Sequence, residues 1–168
     1  MLKYSFVISV SNDRLNSFYD LFNSIGLNTP LPTLYDGFKI NGVSGDLNIS
    51  ITHNSIVRLA KALNYPFVCI FEDDAYPCNQ IVPLLNFYLG RIPDDAKILK
   101  LGYTKCRDNL SQNVDKFFVR RSTWGAHAYI VFNSGYDDYL NLSKINIISD
   151  DALFNMDGSY NTSKNLFI

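Results

Sequence analysis

Cysteine is scarce in this chain, and its few copies are scattered. The three cysteines, Cys69, Cys78 and Cys106, form no CxxC pair and are too few for a disulfide framework. Cys69 lies within an apolar run, where a thiol packs as a small core side chain. The sequence therefore predicts free thiols in a reducing compartment.

An excess of one charge and a long hydrophobic segment are also missing. The 168 residues carry 15 basic and 16 acidic side chains, for a formal charge of -1. This balance does not favour a nucleic-acid partner or a surface that binds anionic membranes over the whole protein. Residues 1–10 contain one lysine and a short apolar stretch, without a signal-peptide cleavage site or the length of a membrane span. We therefore expect a cytoplasmic protein.

Internal repeats, low-complexity tracts and a change of composition along the chain are absent as well. The chain is 47% apolar and 14% aromatic, which is typical of a globular protein long enough to bury a core. We expect one domain over residues 1–168, in which residues 157–168 form a poorly anchored tail or a truncated end.

Strand and helix patterns alternate along much of the chain. The predicted strands include residues 3–10, 33–35, 67–71 and 96–101, and helical spacing runs up to residue 25, from a cap at Ser50 or Thr52 to residue 64, and over residues 80–89. This rhythm predicts an α/β fold with a mostly parallel central sheet flanked by helices.

Three consecutive carboxylates, Glu72, Asp73 and Asp74, follow directly on the apolar run at residues 67–71. Adjacent acids repel one another, so such a cluster favours a cation, and hard divalent cations prefer oxygen ligands. Alternate side chains of a strand share a face, so Glu72 and Asp74 are expected on one side and Asp73 on the other. Ligands of open α/β sheets usually bind at the carboxyl ends of the strands. The sequence therefore predicts a metal-dependent ligand site here.

Several stretches together resemble a known family. They are, in order, FVIS at residues 6–9 followed by Arg14, GDLNISITH at 45–53, IFEDD at 70–74, and TWGAHAYI at 123–130 with SDDAL at 149–153. Their order and spacing over residues 4–155 resemble glycosyltransferase family 25, the lipopolysaccharide-type galactosyltransferases and their collagen-modifying relatives.

The resemblance implies a GT-A fold, in which a Rossmann-like domain binds a nucleotide-sugar. Glu72-Asp73-Asp74 would be its Asp-x-Asp-type motif, with Asp74 as a ligand of Mn²⁺ or Mg²⁺ and Glu72 or Asp73 contacting the ribose or ordering the site. A bound divalent ion would neutralise the diphosphate leaving group as the sugar bond breaks.

A second acidic pair, Asp150 and Asp151, provides candidates for the catalytic base. Transfer with inversion at the anomeric carbon needs a base that removes the proton of the acceptor hydroxyl. Either carboxylate suits this role by the resemblance, with Asp151 preferred. The alternative is structural, because Ser149-Asp150 is also typical capping chemistry for a following helix.

Five further residues lie in the stretches that resemble the family, with Thr52 where the family usually has Ser. The resemblance implies donor contacts for Arg14, Thr52, His53 and Trp124, and a second metal ligand in His127. Three of them have a simpler alternative. Arg14 is also typical of an exposed helix charge, His53 of a cap or a satisfied core histidine, and Trp124 of a core aromatic.

These features together predict a metal-dependent, inverting glycosyltransferase. Its donor would be a nucleotide-sugar, by resemblance UDP-galactose, and its acceptor a hydroxyl of a surface saccharide or a glycolipid such as lipooligosaccharide. A glycolipid acceptor would place the enzyme at the inner face of the membrane, as a peripheral protein.

Two other functions fit the same residues. Carboxylates after a strand also suit a metal-dependent nucleotidyltransferase or phosphatase, although the sequence has no Gly-rich phosphate loop ending in Gly-Lys-Ser or Gly-Lys-Thr. A non-catalytic module that binds nucleotide-sugars is the other possibility, because the short carboxyl-terminal region leaves little chain for an acceptor site.

Overall fold

A computed structural model describes residues 2–27, 30–103, 105–106, 112–113, 115–120, 123–145, 153 and 156–168. Its helices are α1 (Asn12–Ser24), α2 (Gly45–Ala62), α3 (Ile81–Leu89) and α4 (Tyr136–Ile145), with short 3-10 helices at Leu2–Tyr4 and Asn133–Gly135. Its strands are β1 (Ser5–Ser9), β2 (Thr33–Asp36), β3 (Phe67–Glu72), β4 (Ile98–Lys100), β5 (Lys105–Cys106), β6 (Gln112–Asn113), β7 (Phe118–Arg120), β8 (Thr123–Trp124), β9 (Ala128–Phe132) and β10 (Ser159–Thr162).

The main sheet has eight strands in the order β2-β1-β3-β9-β4-β10-β7-β6, and β5 pairs with β8 in a separate ribbon. The pairs β1–β2, β1–β3 and β4–β10 are parallel, whereas β3–β9, β4–β9, β7–β10 and β6–β7 are antiparallel. The α/β class is confirmed, but the expectation of a mostly parallel sheet is wrong. Strands and helices alternate only as far as β4, and several strands then follow without a long helix among the described residues. Such strands can pair antiparallel.

Helices cover both faces of the sheet. On one face, α1 and α3 bury Phe18, Phe22 and Leu85 against Val7 and Phe71. On the other face, side chains of α2 and α4 pack against the alternate strand positions in a second cluster, which includes Ile56, Tyr139, Ile8, Ile70 and Tyr129. The all-apolar β3 predicted from sequence is thus explained, because both of its faces lie against helices.

Capping residues set where the first two helices begin. Ser11 caps α1, as its side chain accepts from the backbone N–H of Arg14. Ser44 caps α2 in the same way, so this helix begins before the predicted cap at Ser50 or Thr52. Thr52 and His53 therefore lie inside the helix, where they are fully buried.

The carboxyl-terminal segment differs from the predicted loose tail. Residues Ser159–Thr162 form β10, which lies between β4 and β7 in the sheet. Leu166 and Phe167 are fully buried, and the backbone N–H of Ile168 donates to the Tyr76 carbonyl at 2.8 Å. This segment therefore belongs to the core. Within the described residues, no helix is both long and apolar enough to cross a membrane.

Candidate active site

A cleft opens at the carboxyl ends of β1 and β2. Strand β1 pairs with β2 on one side and β3 on the other, while α1 and α2 cover opposite faces. The chain goes from β1 to β2 on one side of β1 and then continues with β3 on the other, so the topological switch point lies between β1 and β3, beside this cleft. Ligands of open α/β sheets usually bind at such a point. The cleft holds about 240 Å³ and is lined by Ser9, Val10, Ser11, Asn12, Leu15, Leu34, Asp36, Gly37 and Lys39.

The chemistry of this cleft is divided between apolar walls and polar ends. Val10 and Leu34 are 52% and 38% exposed, which leaves apolar surface for a flat ring. The carboxylate of Asp36, at the end of β2, can accept a hydrogen bond from a ligand hydroxyl, and Lys39 supplies a positive charge. The amino terminus of α1 adds the positive end of its dipole. The cleft therefore suits a nucleoside that carries phosphate.

Asp73 ties the ends of β1 and β3 together. Its Oδ2 accepts a hydrogen bond from the Ser9 hydroxyl at 2.6 Å, and its Oδ1 pairs with the guanidinium of Arg14. Its backbone N–H donates to the Ile8 carbonyl at 3.1 Å. Because the side chain is 5% exposed and both oxygens are engaged, Asp73 orders the site and has little surface left for a ligand.

Asp74 lies on the same side as Asp73. Strand β3 ends at Glu72, and the turn that follows brings Asp74 Oδ2 to 3.1 Å from Arg14 Nη2. The predicted grouping of Glu72 with Asp74 is therefore wrong, because strand alternation stops at Glu72. The Asp74 side chain remains 56% exposed, so it can bind a further cation or a ligand.

Glu72 points to the opposite side, towards α2. Its Oε1 lies 3.1 Å from His53 Nε2, and the side chain is 27% exposed. Burial raises the pKa of the Glu72 carboxyl, but the hydrogen bond from His53 and the charges of His53, His127 and Arg14 outweigh it. The resulting pKa lies below the ordinary value, so this carboxylate is ionised at neutral pH.

His53 continues into a buried polar chain. Its Nδ1 lies 2.7 Å from the Tyr129 hydroxyl, which lies 3.3 Å from the Tyr139 hydroxyl. The imidazole is fully buried, so His53 cannot touch a ligand directly. The buried-histidine alternative is therefore correct for its packing, although one ring nitrogen reaches Glu72.

Thr52 and His127 are also buried. The Thr52 hydroxyl donates to the Asn48 carbonyl at 2.9 Å and accepts from the Phe38 N–H at 3.0 Å, so it fixes the segment that follows β2. His127 Nε2 lies 3.3 Å from the Phe167 carbonyl, and the residue is 7% exposed. His127 thus lies between the end of β3 and the carboxyl-terminal segment.

The remaining predicted residues are less fully described. Trp124 belongs to β8, opposite Lys105 in the separate ribbon, and its side chain is not described. Asp150 and Asp151 lie outside the described residues. Their catalytic roles stay predictions from the sequence.

The described side chains do not form a complete metal site of their own. No three His, Cys, Asp or Glu side chains in the described part of the chain are grouped so as to enclose an ion. Mg²⁺-type ions, however, commonly use one or two carboxylates together with substrate phosphates. Asp74, exposed beside the cleft, suits that mode as the single protein carboxylate.

Sequence reasoning missed Ser9, Asp36 and Tyr129 as site residues. Ser9 entered only as part of the FVIS stretch of the resemblance, and Asp36 was assigned no role. Tyr129 lies in an apolar strand and is directed to His53 by the pairing of β9 with β3, which the sequence does not predict. Of these three residues, only Asp36 could have been predicted from the sequence, because an acid at the end of the second strand of a Rossmann-like unit commonly binds a ribose hydroxyl.

Comparison with known proteins shows the fold alone. No protein-family model and no curated protein matches the chain, so its resemblance to family 25 depends on the motifs themselves. Among solved structures, the A197 protein of STIV aligns with a TM-score of 0.55 and 9% identity, over 97% of this chain and 81% of that chain. The two proteins therefore share an overall fold.

Two glycosyltransferase structures align at lower scores. A glycosyltransferase involved in glycosylation of the major capsid of PBCV-1 has a TM-score of 0.47 and 10% identity, over 84% of this chain and 62% of that chain. A mutant Drosophila beta-1,4-galactosyltransferase 7, in complex with manganese, UDP-Gal and xylobiose, has a TM-score of 0.49 and 12% identity, over 97% of this chain and 68% of that chain.

Proposed function

We propose that this protein is a glycosyltransferase that transfers a hexose from a nucleotide-sugar to a hydroxyl of a saccharide or glycolipid. The observation that carries the proposal is the cleft at the carboxyl ends of β1 and β2, next to the cluster of Arg14, Asp73 and Asp74 at the switch point between β1 and β3. The motifs that resemble family 25 support galactose as the hexose. A glycolipid acceptor would bring the protein to the inner face of a membrane.

The donor would bind along the edge of the sheet. Its base would pack between Val10 and Leu34, and its ribose would donate a hydrogen bond to Asp36. The diphosphate would lie near the amino terminus of α1 and Arg14. Asp74 would hold Mn²⁺ or Mg²⁺ together with the phosphate oxygens, and such an ion supplies charge neutralisation for the leaving group.

The transfer would be a single displacement. The acceptor oxygen forms a bond to the anomeric carbon as the bond from that carbon to the phosphate oxygen breaks, and the nucleoside diphosphate leaves. The hydroxyl proton passes to a carboxylate, for which Asp151 or Asp150 is our candidate from the sequence. Asp73 takes no direct part, because its oxygens hold Arg14 and Ser9 in place.

Calorimetry with UDP-galactose tests the donor site. We expect binding that is strengthened by Mn²⁺ and weakened about tenfold in Asp74→Asn, which keeps the size of the side chain but removes its charge. A matched control is Asp137→Asn, which removes a 73% exposed carboxylate on α4. Equal affinity in wild type and Asp74→Asn would contradict the role of Asp74.

Product analysis separates the remaining functions. Transfer of galactose to one member of a panel of glycan acceptors supports the glycosyltransferase. Release of a nucleoside monophosphate without an acceptor would favour the nucleotidyltransferase or phosphatase. Donor binding without any product would favour a binding module.

A further inference from the structure

His53 is a buried side chain that the proposed donor contacts do not use. It lies inside α2 and is fully buried, so no ligand can reach its ring. Its Nε2 nevertheless lies 3.1 Å from Glu72 Oε1, and Glu72 is partly exposed at the end of β3. Any effect of His53 on a ligand must therefore pass through Glu72.

The polar chain behind Glu72 is anchored by three separate elements. His53 comes from α2, Tyr129 from β9 and Tyr139 from α4, and each of these residues is fully buried. The rings of His53 and Tyr129 are nearly parallel, at 12°, with centroids 5.7 Å apart. Buried groups held from several elements have little freedom to move, so the chain can fix the direction of its exposed end.

Hydrogen-bond chemistry also fixes the proton on His53. A carboxylate oxygen accepts hydrogen bonds, so the 3.1 Å contact between His53 Nε2 and Glu72 Oε1 makes His53 Nε2–H the donor. When the ring is neutral, Nδ1 accepts from the Tyr129 hydroxyl at 2.7 Å, and when the ring is charged, Nδ1–H donates to the same oxygen. In both states His53 directs an N–H towards Glu72, and the Tyr129 hydroxyl pairs with the other ring nitrogen.

The position of Glu72 along the sheet edge indicates what it meets. The sheet order runs β2, β1, β3, so a donor whose nucleoside lies between β2 and β1 extends past Arg14 towards the end of β3. The group that follows the diphosphate there is the sugar. Resting on the proposed function, we propose that His53 and Tyr129 are positioning residues, which orient the Glu72 carboxylate to accept a hydrogen bond from a hydroxyl of the donor hexose.

Two amide substitutions at His53, each of which can mimic one ring nitrogen, separate this role from simple packing. His53→Gln can place an amide N–H near the position of Nε2 and so keep the donor to Glu72. His53→Asn can keep a partner near Nδ1 for Tyr129 but loses the donor to Glu72. We expect UDP-galactose to bind His53→Asn about tenfold more weakly than wild type, with His53→Gln closer to wild type.

The measurement compares two probes in the presence of Mn²⁺. Calorimetry gives dissociation constants for UDP-galactose and for UDP, which has no hexose. The loss in His53→Asn is expected for UDP-galactose alone, with UDP binding unchanged. Tyr129→Phe, which removes the hydroxyl that pairs with His53 Nδ1, should raise the dissociation constant of UDP-galactose relative to that of UDP by a smaller factor.

Tyr136→Phe is the matched control. Tyr136 is also a buried tyrosine of α4, but its hydroxyl donates to the Tyr65 carbonyl at 3.1 Å, outside the chain behind Glu72. It should change thermal stability without changing the ratio of the two dissociation constants. A change of that ratio in Tyr136→Phe as large as in Tyr129→Phe would overturn the proposal.

Other outcomes also decide between a positioning role of His53 and Tyr129 and a general structural role. Equal weakening in His53→Asn and His53→Gln, or equal weakening for UDP and UDP-galactose, would show a general structural role and overturn the positioning role. If His53→Asn does not fold, an unchanged ratio in Tyr129→Phe has the same meaning. Failure of wild type to bind either probe would instead overturn the proposed function itself.

Discussion

Arg14 shares one guanidinium between two carboxylates at the end of β3. Its Nη2 contacts Asp73 Oδ1 and lies 3.1 Å from Asp74 Oδ2, while half of its side chain stays exposed. Asp73 is almost fully buried, so without Arg14 its charge would be left with the Ser9 hydroxyl as its described side-chain partner. Removing one partner of a buried charge pair costs more than the pair contributes.

Replacing Arg14 by methionine tests this residue directly. Arg14→Met keeps most of the aliphatic stem, and we expect it to lower the free energy of unfolding by about 1 to 3 kcal/mol, as measured by urea denaturation. Asp73→Asn added to Arg14→Met should recover part of that loss, because no buried charge remains unpaired. Arg58→Met, at an exposed position of α2, is the control and should change little. If the double variant lost more free energy of unfolding than the two single variants lose together, the result would contradict the pairing.

The sequence predicted the acidic cluster but not what neutralises it. Three acids after an apolar run are visible locally, and so is the need for a cation. The partners Arg14 and His53 come from distant parts of the chain, and only the packing of α1 and α2 against opposite faces brings them to β3. Pairing of this kind depends on topology, which no local pattern contains.

The residues that follow strand β10 pack against His127. Phe167 is fully buried, and its carbonyl lies 3.3 Å from His127 Nε2. Gly102 lies against both groups. A Cβ at this position would lie 2.4 Å from His127 Nε2 and 2.7 Å from the Phe167 oxygen. The glycine is required here for close approach, because no side chain fits between the two segments.

Gly102→Ala should therefore destabilise the protein. Overpacking a tight contact typically costs about 1 to 3 kcal/mol, which chemical denaturation can measure. Gly45→Ala is the control, since a Cβ at Gly45 at the start of α2 meets nothing within 4 Å. That variant should be neutral or slightly stabilised, because alanine is the better helix former. If the two variants were equally stable, His127 and the Phe167 carbonyl would be able to move away from the added methyl group without cost, which would contradict the prediction.

The start of α2 shows why element boundaries are hard to predict. Ser44, Ser50 and Thr52 are all acceptable caps by residue type, and the sequence favoured the later pair. Ser44 is the actual cap, and its side chain accepts from Leu47 N–H at 3.3 Å. Because the helix begins earlier than predicted, His53 lies in its buried interior and not at its exposed end. Its role therefore changes from contacting a ligand to holding Glu72 in place.

For the molecule as a whole, Glu72 links stability to pH. Its pKa in the folded protein lies below the ordinary value of 4.5, because His53 and other positive groups outweigh the effect of burial. The ionised form therefore stabilises the fold above that value, and this contribution is lost as the pH falls through the lower pKa of the folded state.

Glu72→Gln should remove this pH dependence. Urea denaturation at several pH values is expected to show wild type more stable than Glu72→Gln near neutral pH, with the difference shrinking as the pH falls below about 4.5. In Asp137→Asn, which removes an exposed surface carboxylate, the difference from wild type should be small throughout. A wild-type advantage that grows on acidification would contradict the lowered pKa.

The order of strands in the whole sheet was only partly predictable. The elements from β1 to β4 follow the expected alternation, so their type and order could be predicted from periodicity. The insertion of β9 between β3 and β4, and of β10 beside β4, joins segments distant in the sequence. Short strands without separating helices leave many possible partners, so the shift from a parallel to a mixed sheet was not visible.

The burial of His53 has a further consequence for experiment. Its imidazole is shielded from solvent on all sides and hydrogen-bonded at both nitrogens. A ring proton in such a position exchanges with water only when the surrounding structure opens. It should therefore give a persistent downfield proton resonance, set apart from the crowded spectrum. That single signal would report on events at Glu72 without any label attached to the protein.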